Sequence, residues 1–303
     1  MLKRSKVLVT GGSGFIGSHL VNRLIREGCR EVVVFDKVIR SDKFHSDPGL
    51  KLVQGEITQI AGLKEIMSGV DYVFHMAVLP LGACTQNPHA CLEINVDGTF
   101  NLIETARDSG VKKIVFSSAS SVYGDTERTM DERHPLNART MYGASKIAGE
   151  YFLRAFYDMH KLNYVILRYM NVYGPAQEGG LIMNVLKRIK SGTPPVIMGN
   201  GSQSFDFVYV DDVVNANILA MEKDVTDEAF NIGGEEEASV KDVVYTLLEL
   251  TGSNLKPEFK LDEKVPMQRR VGSSQKAKKL LGYVPSVPLR EGLKKVIEAE
   301  SKK

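Results

Sequence analysis

Apolar and polar positions along this chain follow two alternating periods. Six short runs, KVLVT, EVVVF, KLVQG, DYVFHMA, KIVFSS and NYVILRY, read as strands, and the β-branched start KVLV of the first reads as a buried one. Amphipathic stretches of helical period separate them. This alternation predicts an α/β architecture, a doubly wound parallel sheet with helices on both faces. Right-handed crossovers then bring the C-terminal ends of the strands to one edge, where such sheets bind ligands.

The first strand runs directly into TGGSGFIG, and the helical period begins at Phe15 and Ile16. A helix N-terminus leaves backbone N–H groups unpaired and carries a partial positive charge, which suits a diphosphate. Gly11 permits the tight turn, Gly14 lets the backbone approach the phosphates, and Gly17 lets the helix pack on the sheet. The same triplet, spaced G-x-x-G-x-x-G, also suits a plain strand-to-helix turn. The next strand ends in Asp36, about twenty residues beyond the glycines, where a Rossmann-like fold places the acid that binds the adenosine ribose. An acid there favours NAD over NADP, while Lys37 beside it leaves NADP open.

After about residue 170 the pattern changes. NVYGPAQEGG and SGTPPVIMGNGSQS are rich in Gly, Pro, Asn and Ser, with a short helix between them. DFVYV and EAFNIG bracket the helical DVVNANILAMEK and are expected to return to the sheet. Ser239 is a predicted N-cap, with Asp242 in the first turn of the helix that follows. The proline-spaced KPEF and KVPM and two closing helices complete the chain. The expected organisation is a dinucleotide-binding domain over 1–169, with 205–233 returning to it. A smaller substrate-binding lid comprises 170–204 and 234–303.

Composition narrows the function classes. With 43% apolar and 25% charged residues in 303, the chain has the profile of an ordinary soluble globular protein. A formal net charge of +2, with scattered basic residues, speaks against nucleic acid as a partner. The first strand follows the N-terminus too closely for a signal peptide, and no apolar run is long enough to span a bilayer, so a cytoplasmic protein is expected. Cys29, Cys84 and Cys91 are odd in number and lack metal-ligand spacing; they read as buried thiols, with neither a disulfide framework nor a metal site.

The chemistry-bearing motif is MYGASK. Tyr142 and Lys146 lie four apart on a predicted helix and emerge on one face. An ammonium one turn from a phenol favours the phenolate, and a nicotinamide cation nearby would favour it further. Such a phenolate can act as a general base on a sugar or alcohol hydroxyl.

Seven segments in order, TGGSGFIG, NVDGT, SSASSVYGD, YGASK, LRYMNVYGP, DFVYVDDVV and KAKKLLGY, resemble the NAD-dependent epimerase/dehydratase family of extended short-chain dehydrogenases/reductases, and within it the UDP-sugar 4-epimerases. The resemblance implies that Glu56 and Ile57 lie by the adenine. Met76, Ala77 and Leu79 pass the nicotinamide side, with Asn95, Ser117 and Met170 also at the cofactor. It places Asn171 on the sugar diphosphate, and Val196, Ile197 and Met198 at the uracil, although these three read equally well as an edge strand. It also implies a homodimer formed through two helices per subunit.

Two positions depart from the family pattern. Ala119 stands where a catalytic Ser or Thr is usual, leaving Ser118 or Ser120, or water, to contact the sugar. Phe205 stands where an Arg usually binds the diphosphate, so Arg269 and Arg270 are candidates to replace it. Family dehydratases carry an Asp-Glu pair before VYG and decarboxylases a Glu, whereas this chain has Ser120 and Ser121. A 4-epimerase is therefore the expected activity. A nucleotide-sugar dehydrogenase or reductase, and a non-catalytic NAD-binding protein, are the alternatives.

Overall fold

The computed structural model describes residues 2–261 and 268–302, so the KVPM run lies outside the described residues. The strands in chain order are β1 (Lys6–Thr10), β2 (Glu31–Asp36), β3 (Leu50–Gln54), β4 (Tyr72–His75), β5 (Lys113–Ala119), β6 (Tyr164–Tyr169) and β7 (Asn171–Tyr173). They continue with β8 (Val196–Met198), β9 (Ser204–Tyr209), β10 (Glu228–Ile232), β11 (Glu237–Ser239), β12 (Glu258–Lys260) and β13 (Arg269–Arg270). All six runs read as strands from sequence join one parallel sheet of order β10-β6-β5-β4-β1-β2-β3.

Alternation along each central strand sorts side chains into two cores. Val7, Val9, Val34, Phe74, Val115 and Val165 enter one apolar cluster. Leu8, Val33, Val73, Ile114 and Ile166 enter the other. Successive residues of a strand point to opposite faces, so continuous apolar runs can only be satisfied by helices on both sides. The strand order reverses between β1 and β4, which opens a crevice beyond their carboxyl ends.

EAFNIG does reach this sheet, as β10 beside β6. DFVYV does not. As β9 it pairs parallel with β7 and β13 and antiparallel with β11 in a separate four-stranded sheet. Its aromatic positions explain the difference, because Phe207 and Tyr209 face a third core with Val185, Leu186, Val244 and Leu293. Period alone marks a strand but does not choose its sheet. The helix Val240–Leu250 that closes this core starts with a capping box: Ser239 Oγ accepts from the Asp242 amide at 3.0 Å, and an Asp242 carboxylate oxygen accepts from the Ser239 amide at 3.2 Å.

The thiol expectation needs correction. Cys84 and Cys91 form a disulfide with their Cα atoms 4.9 Å apart, and Cys29 stays free. Two short helices, Leu81–Gln86 and Pro88–Cys91, fold back on each other and bring the sulfurs together. An odd cysteine count does not reveal such a local pairing.

Arg168 on β6 and Glu150 on the helix Met141–His160 form a bidentate ion pair, with side chains 1% and 0% exposed. The guanidinium donates to the carboxylate at 2.9 and 2.6 Å and to the Tyr123 hydroxyl at 2.8 Å; Tyr123 in turn donates to Asn231 on β10 at 2.7 Å. Breaking one side of a buried pair strands the other charge. Arg168→Met should therefore cost about 3–5 kcal/mol of stability. The double variant Arg168→Met/Glu150→Gln should recover much of that loss in urea denaturation.

Candidate active site

A cavity of about 540 Å³ opens beyond the carboxyl ends of β1, β2 and β4. Gly11 and Gly14 form its floor. Gly11 has φ +68°, and a Cβ there would sit 2.6 Å from the Ala77 amide nitrogen. A Cβ on Gly17 would sit 2.3 Å from the Gly11 carbonyl oxygen. Gly14 is the N-cap of the helix Phe15–Arg26 and offers no side-chain cap, so the first-turn amides of Phe15, Ile16 and Gly17 have no intrahelical acceptor.

Asp36 and Lys37 form one wall of the cavity, with Glu56 and Ile57 beside them. The Asp36 carboxylate accepts from the amides of Ser13 at 2.9 Å and Val38 at 3.2 Å, and the remaining lone pairs are left for a ligand. Met76, Ala77 and Leu79 form the opposite wall. A bare-backbone cradle at a helix N-terminus, a carboxylate at the second strand's end and an apolar slot between two walls fit a dinucleotide.

Asn95 joins this wall to the reactive helix. Its amide oxygen accepts from the Leu79 N–H at 2.7 Å, and its amide nitrogen donates to the Leu79 carbonyl at 3.0 Å and to Ser145 Oγ at 3.2 Å. The same nitrogen lies 3.4 and 3.5 Å from the two disulfide sulfurs. Thr140 caps the helix Met141–His160 through the Gly143 amide at 3.0 Å and so fixes the start of the turn that carries Tyr142.

Lys146 is 4% exposed; its Nζ donates to the Ser117 carbonyl at 2.7 Å and stands 5.7 Å from the centre of the Tyr142 ring. Burial pulls the ammonium down to about 7, opposed by Glu150 one turn on. Burial likewise pushes the Tyr142 phenol up to about 12, opposed by Arg270. The protein groups alone therefore do not make the phenol acidic, contrary to the simple expectation from an ammonium one turn away, because desolvation outweighs the attraction. The Tyr142 hydroxyl has no hydrogen-bond partner among the described residues.

A second cavity of about 290 Å³ adjoins Met170 and Asn171, with Gln177, Leu181, Phe205 and Phe207 on its walls. Asn171 Nδ2 and Arg270 Nε are buried without a hydrogen-bond partner. Strand register sets Arg270 beside Phe205, so a guanidinium neighbours the position that lost one. Arg269 is engaged elsewhere, bound to Glu237 at 2.8 Å and to the Glu127 carbonyl at 2.9 Å. Val196, Ile197 and Met198 form a short strand paired with β12 and line neither cavity, with Ile197 fully buried in the third core.

The serines beside Ala119 separate. Ser118 points into the core and donates to Glu150 at 2.6 Å, which removes it as a contact for substrate. Strand alternation is the reason: Ser117 and Ala119 share one face of β5 and Ser118 takes the other. Ser117 Oγ meets the Tyr169 hydroxyl at 3.0 Å. Ser120 is buried in the turn after β5, and Ser121 Oγ is buried there without a partner.

Sequence reasoning passed over Ser13, Arg40, Lys43 and Glu178, which also line the first cavity. The first three flank recognised positions; Glu178 lies in a glycine-rich loop far along the chain and carries no local signal.

The description NAD dependent epimerase/dehydratase family matches residues 7–233. The chain belongs to this family. The UDP-glucose 4-epimerase of Mycolicibacterium smegmatis is 32% identical, the match covering 97% of each chain. The UDP-N-acetyl-alpha-D-glucosaminuronate decarboxylase of Bacillus cytotoxicus is also 32% identical, again over 97% of each. A crystal structure of UDP-glucose 4-epimerase from Thermotoga maritima with UDP-glucose aligns at TM-score 0.92 and 34% identity, covering 98% of this chain and 99% of that one. These two relatives, an epimerase and a decarboxylase, stand at equal identity, so the reaction has to be argued from the site.

Ser118→Ala removes a hydrogen bond to a buried carboxylate. It should lower stability by about 1–3 kcal/mol in urea denaturation. Turnover on a confirmed substrate should stay within about twofold, since the hydroxyl faces away from the reacting groups.

Proposed function

We propose that this chain is a UDP-sugar 4-epimerase. The observation that carries the reading is the pairing of Tyr142 and Lys146 with a turn of two serines, Ser120 and Ser121, where a dehydratase or decarboxylase needs a carboxylate. Glu150 does not fill that gap, because it is held by Arg168 and Ser118. A 4-epimerase needs one base and two accessible faces of the same sugar.

In this reading, bound NAD supplies a reversible hydride acceptor. The first-turn amides beyond Gly14 bind its diphosphate and Asp36 binds the adenosine ribose. Asn95 fixes the Leu79 backbone along the nicotinamide side. With the positive charge of the bound nicotinamide beside it, Tyr142 would act as the phenolate that takes the proton from the sugar 4-hydroxyl and later returns it, and Lys146 in its ammonium form would stabilise that phenolate. Arg270 and Asn171, whose buried nitrogens lack partners, receive the sugar diphosphate. Ser120, rather than Ser118, is the hydroxyl available where Ala119 has none.

The division of labour follows from the two sheets, with the large sheet holding cofactor and the part built on β9 and the closing helices holding substrate. Among the described residues no helix is long and apolar enough to cross a membrane. Phe100, Tyr151 and Met159 are exposed on the neighbouring helices Gly98–Asp108 and Met141–His160, an apolar face that supports pairing with a second copy.

The test is a panel of UDP-sugars incubated with the protein and NAD and followed by NMR. Interconversion of a 4-epimeric pair without net accumulation of NADH is expected. Net cofactor consumption, or release of carbon dioxide or a dehydrated sugar, would reject the reading. On the substrate so identified, Tyr142→Phe should lower turnover about 100- to 10,000-fold while NAD still binds. Asp36→Ala should weaken NAD and narrow its advantage over NADP, measured by calorimetry, as an acceptor and a repulsive charge are lost together.

A further inference from the structure

The adenosine corner of the first cavity is crowded with charge. Lys37, Arg40 and Lys43 line it together with Asp36, Glu56 and Glu178. Three cations beside a ribose site would attract a 2′-phosphate, and one carboxylate at Asp36 does not offset three positive charges. Their pairing decides what a ligand meets. Lys37 is bound to Glu56 at 3.0 Å. Arg40 donates to Glu178, and Lys43 lies 3.9 Å from the same carboxylate while donating to the Ser13 carbonyl at 3.2 Å. Among the described residues Asp36 has no cationic partner: backbone amides of Ser13 and Val38 hold it, so its negative charge faces the ribose position.

Ser13 ties the corner into one unit. Its amide donates to Asp36, its hydroxyl accepts from the Arg40 amide at 3.3 Å, and its carbonyl accepts from Lys43. Glu178 reaches this unit from the loop 174–180, between β7 and the helix Leu181–Lys190, on the far side of the cavity mouth.

From this arrangement we infer that Glu178 is a specificity-determining residue for the cofactor. By occupying Arg40 and standing within ion-pair distance of Lys43, it masks two cations that would otherwise accept a 2′-phosphate and offset the repulsion from Asp36. Selection against NADP is thus divided between an acid on the second strand and an acid on the loop after β7. The inference rests on the reading of this cavity as the dinucleotide site.

The pair is partly exposed, with side chains 42% and 68% accessible, so its effect is modest and screened by salt. Glu178→Gln should tighten NADP binding about 3- to 10-fold while leaving NAD within about twofold, the gain shrinking as ionic strength rises. Adding Arg40→Gln to Glu178→Gln should abolish the gain. Calorimetric titration of the parent, the single variant and the double variant with NAD and with NADP reads all of these. An unchanged NADP affinity in Glu178→Gln, an equal change for both cofactors, or a gain that survives Arg40→Gln overturns the masking role while leaving the cofactor site intact. Failure of the parent to bind either dinucleotide overturns the site reading itself, and the masking role with it.

Discussion

The geometry of the site depends on an absence of atoms at Gly11 and Gly17. A side chain on Gly11 would meet the Ala77 backbone, and one on Gly17 would meet the Gly11 carbonyl. Only because both lack a Cβ can β1, β4 and the first helix converge within backbone contact. That convergence aims the free amides of the helix into the crevice where the strand order reverses. The apolar layers on both faces then hold the sheet edge in place, since each central strand has one set of side chains in either core.

A second constraint is polar. The helix carrying Tyr142 and Lys146 is registered by contacts at three depths: Ser145 to the Asn95 amide on the neighbouring helical segment Leu92–Asp97, the Lys146 ammonium to the Ser117 carbonyl on β5, and Glu150 to Arg168 on β6. Each is buried, so a shift of the helix would leave several groups unpaired at once. The same burial that fixes the geometry works against the charges the chemistry needs. Lys146 is pulled toward neutrality and Tyr142 toward the phenol. A reactive site of this kind is held rigid first, and acquires its acidity from what is bound beside it.

Much of this was legible in the sequence. All six sheet runs declared themselves as short strand-like runs between amphipathic stretches, the glycine turn and Asp36 line the cavity, and Tyr142 and Lys146 lie on one helix. What escaped had a physical reason in each instance. β9 carries a strand pattern but no label for its partner, and its aromatic face chose a third core. Cys84 and Cys91 look incidental until two short helices fold them together. Ser118 and Ser120 are equivalent in a string of letters, whereas strand alternation buries one against Glu150. Glu178 lies 138 positions beyond Arg40 and meets it only through the fold.

The second half of the chain also brings groups to the first. Arg270 arrives on a two-residue strand, Asn171 on a three-residue strand and Glu178 on a loop, and of the three only Glu178 has no local pattern that marks it in the sequence. Asn171 and Arg270 are placed by β9, which pairs parallel with both β7 and β13. Asn171 stands opposite Phe207 and Arg270 opposite Phe205, so the two unpartnered nitrogens flank the same aromatic strand. The cofactor half of the site is thus written locally, in a turn and a strand end. The half proposed to hold substrate is written in the register of one strand outside the large sheet, and any change that slipped that register by one residue would turn both nitrogens away together.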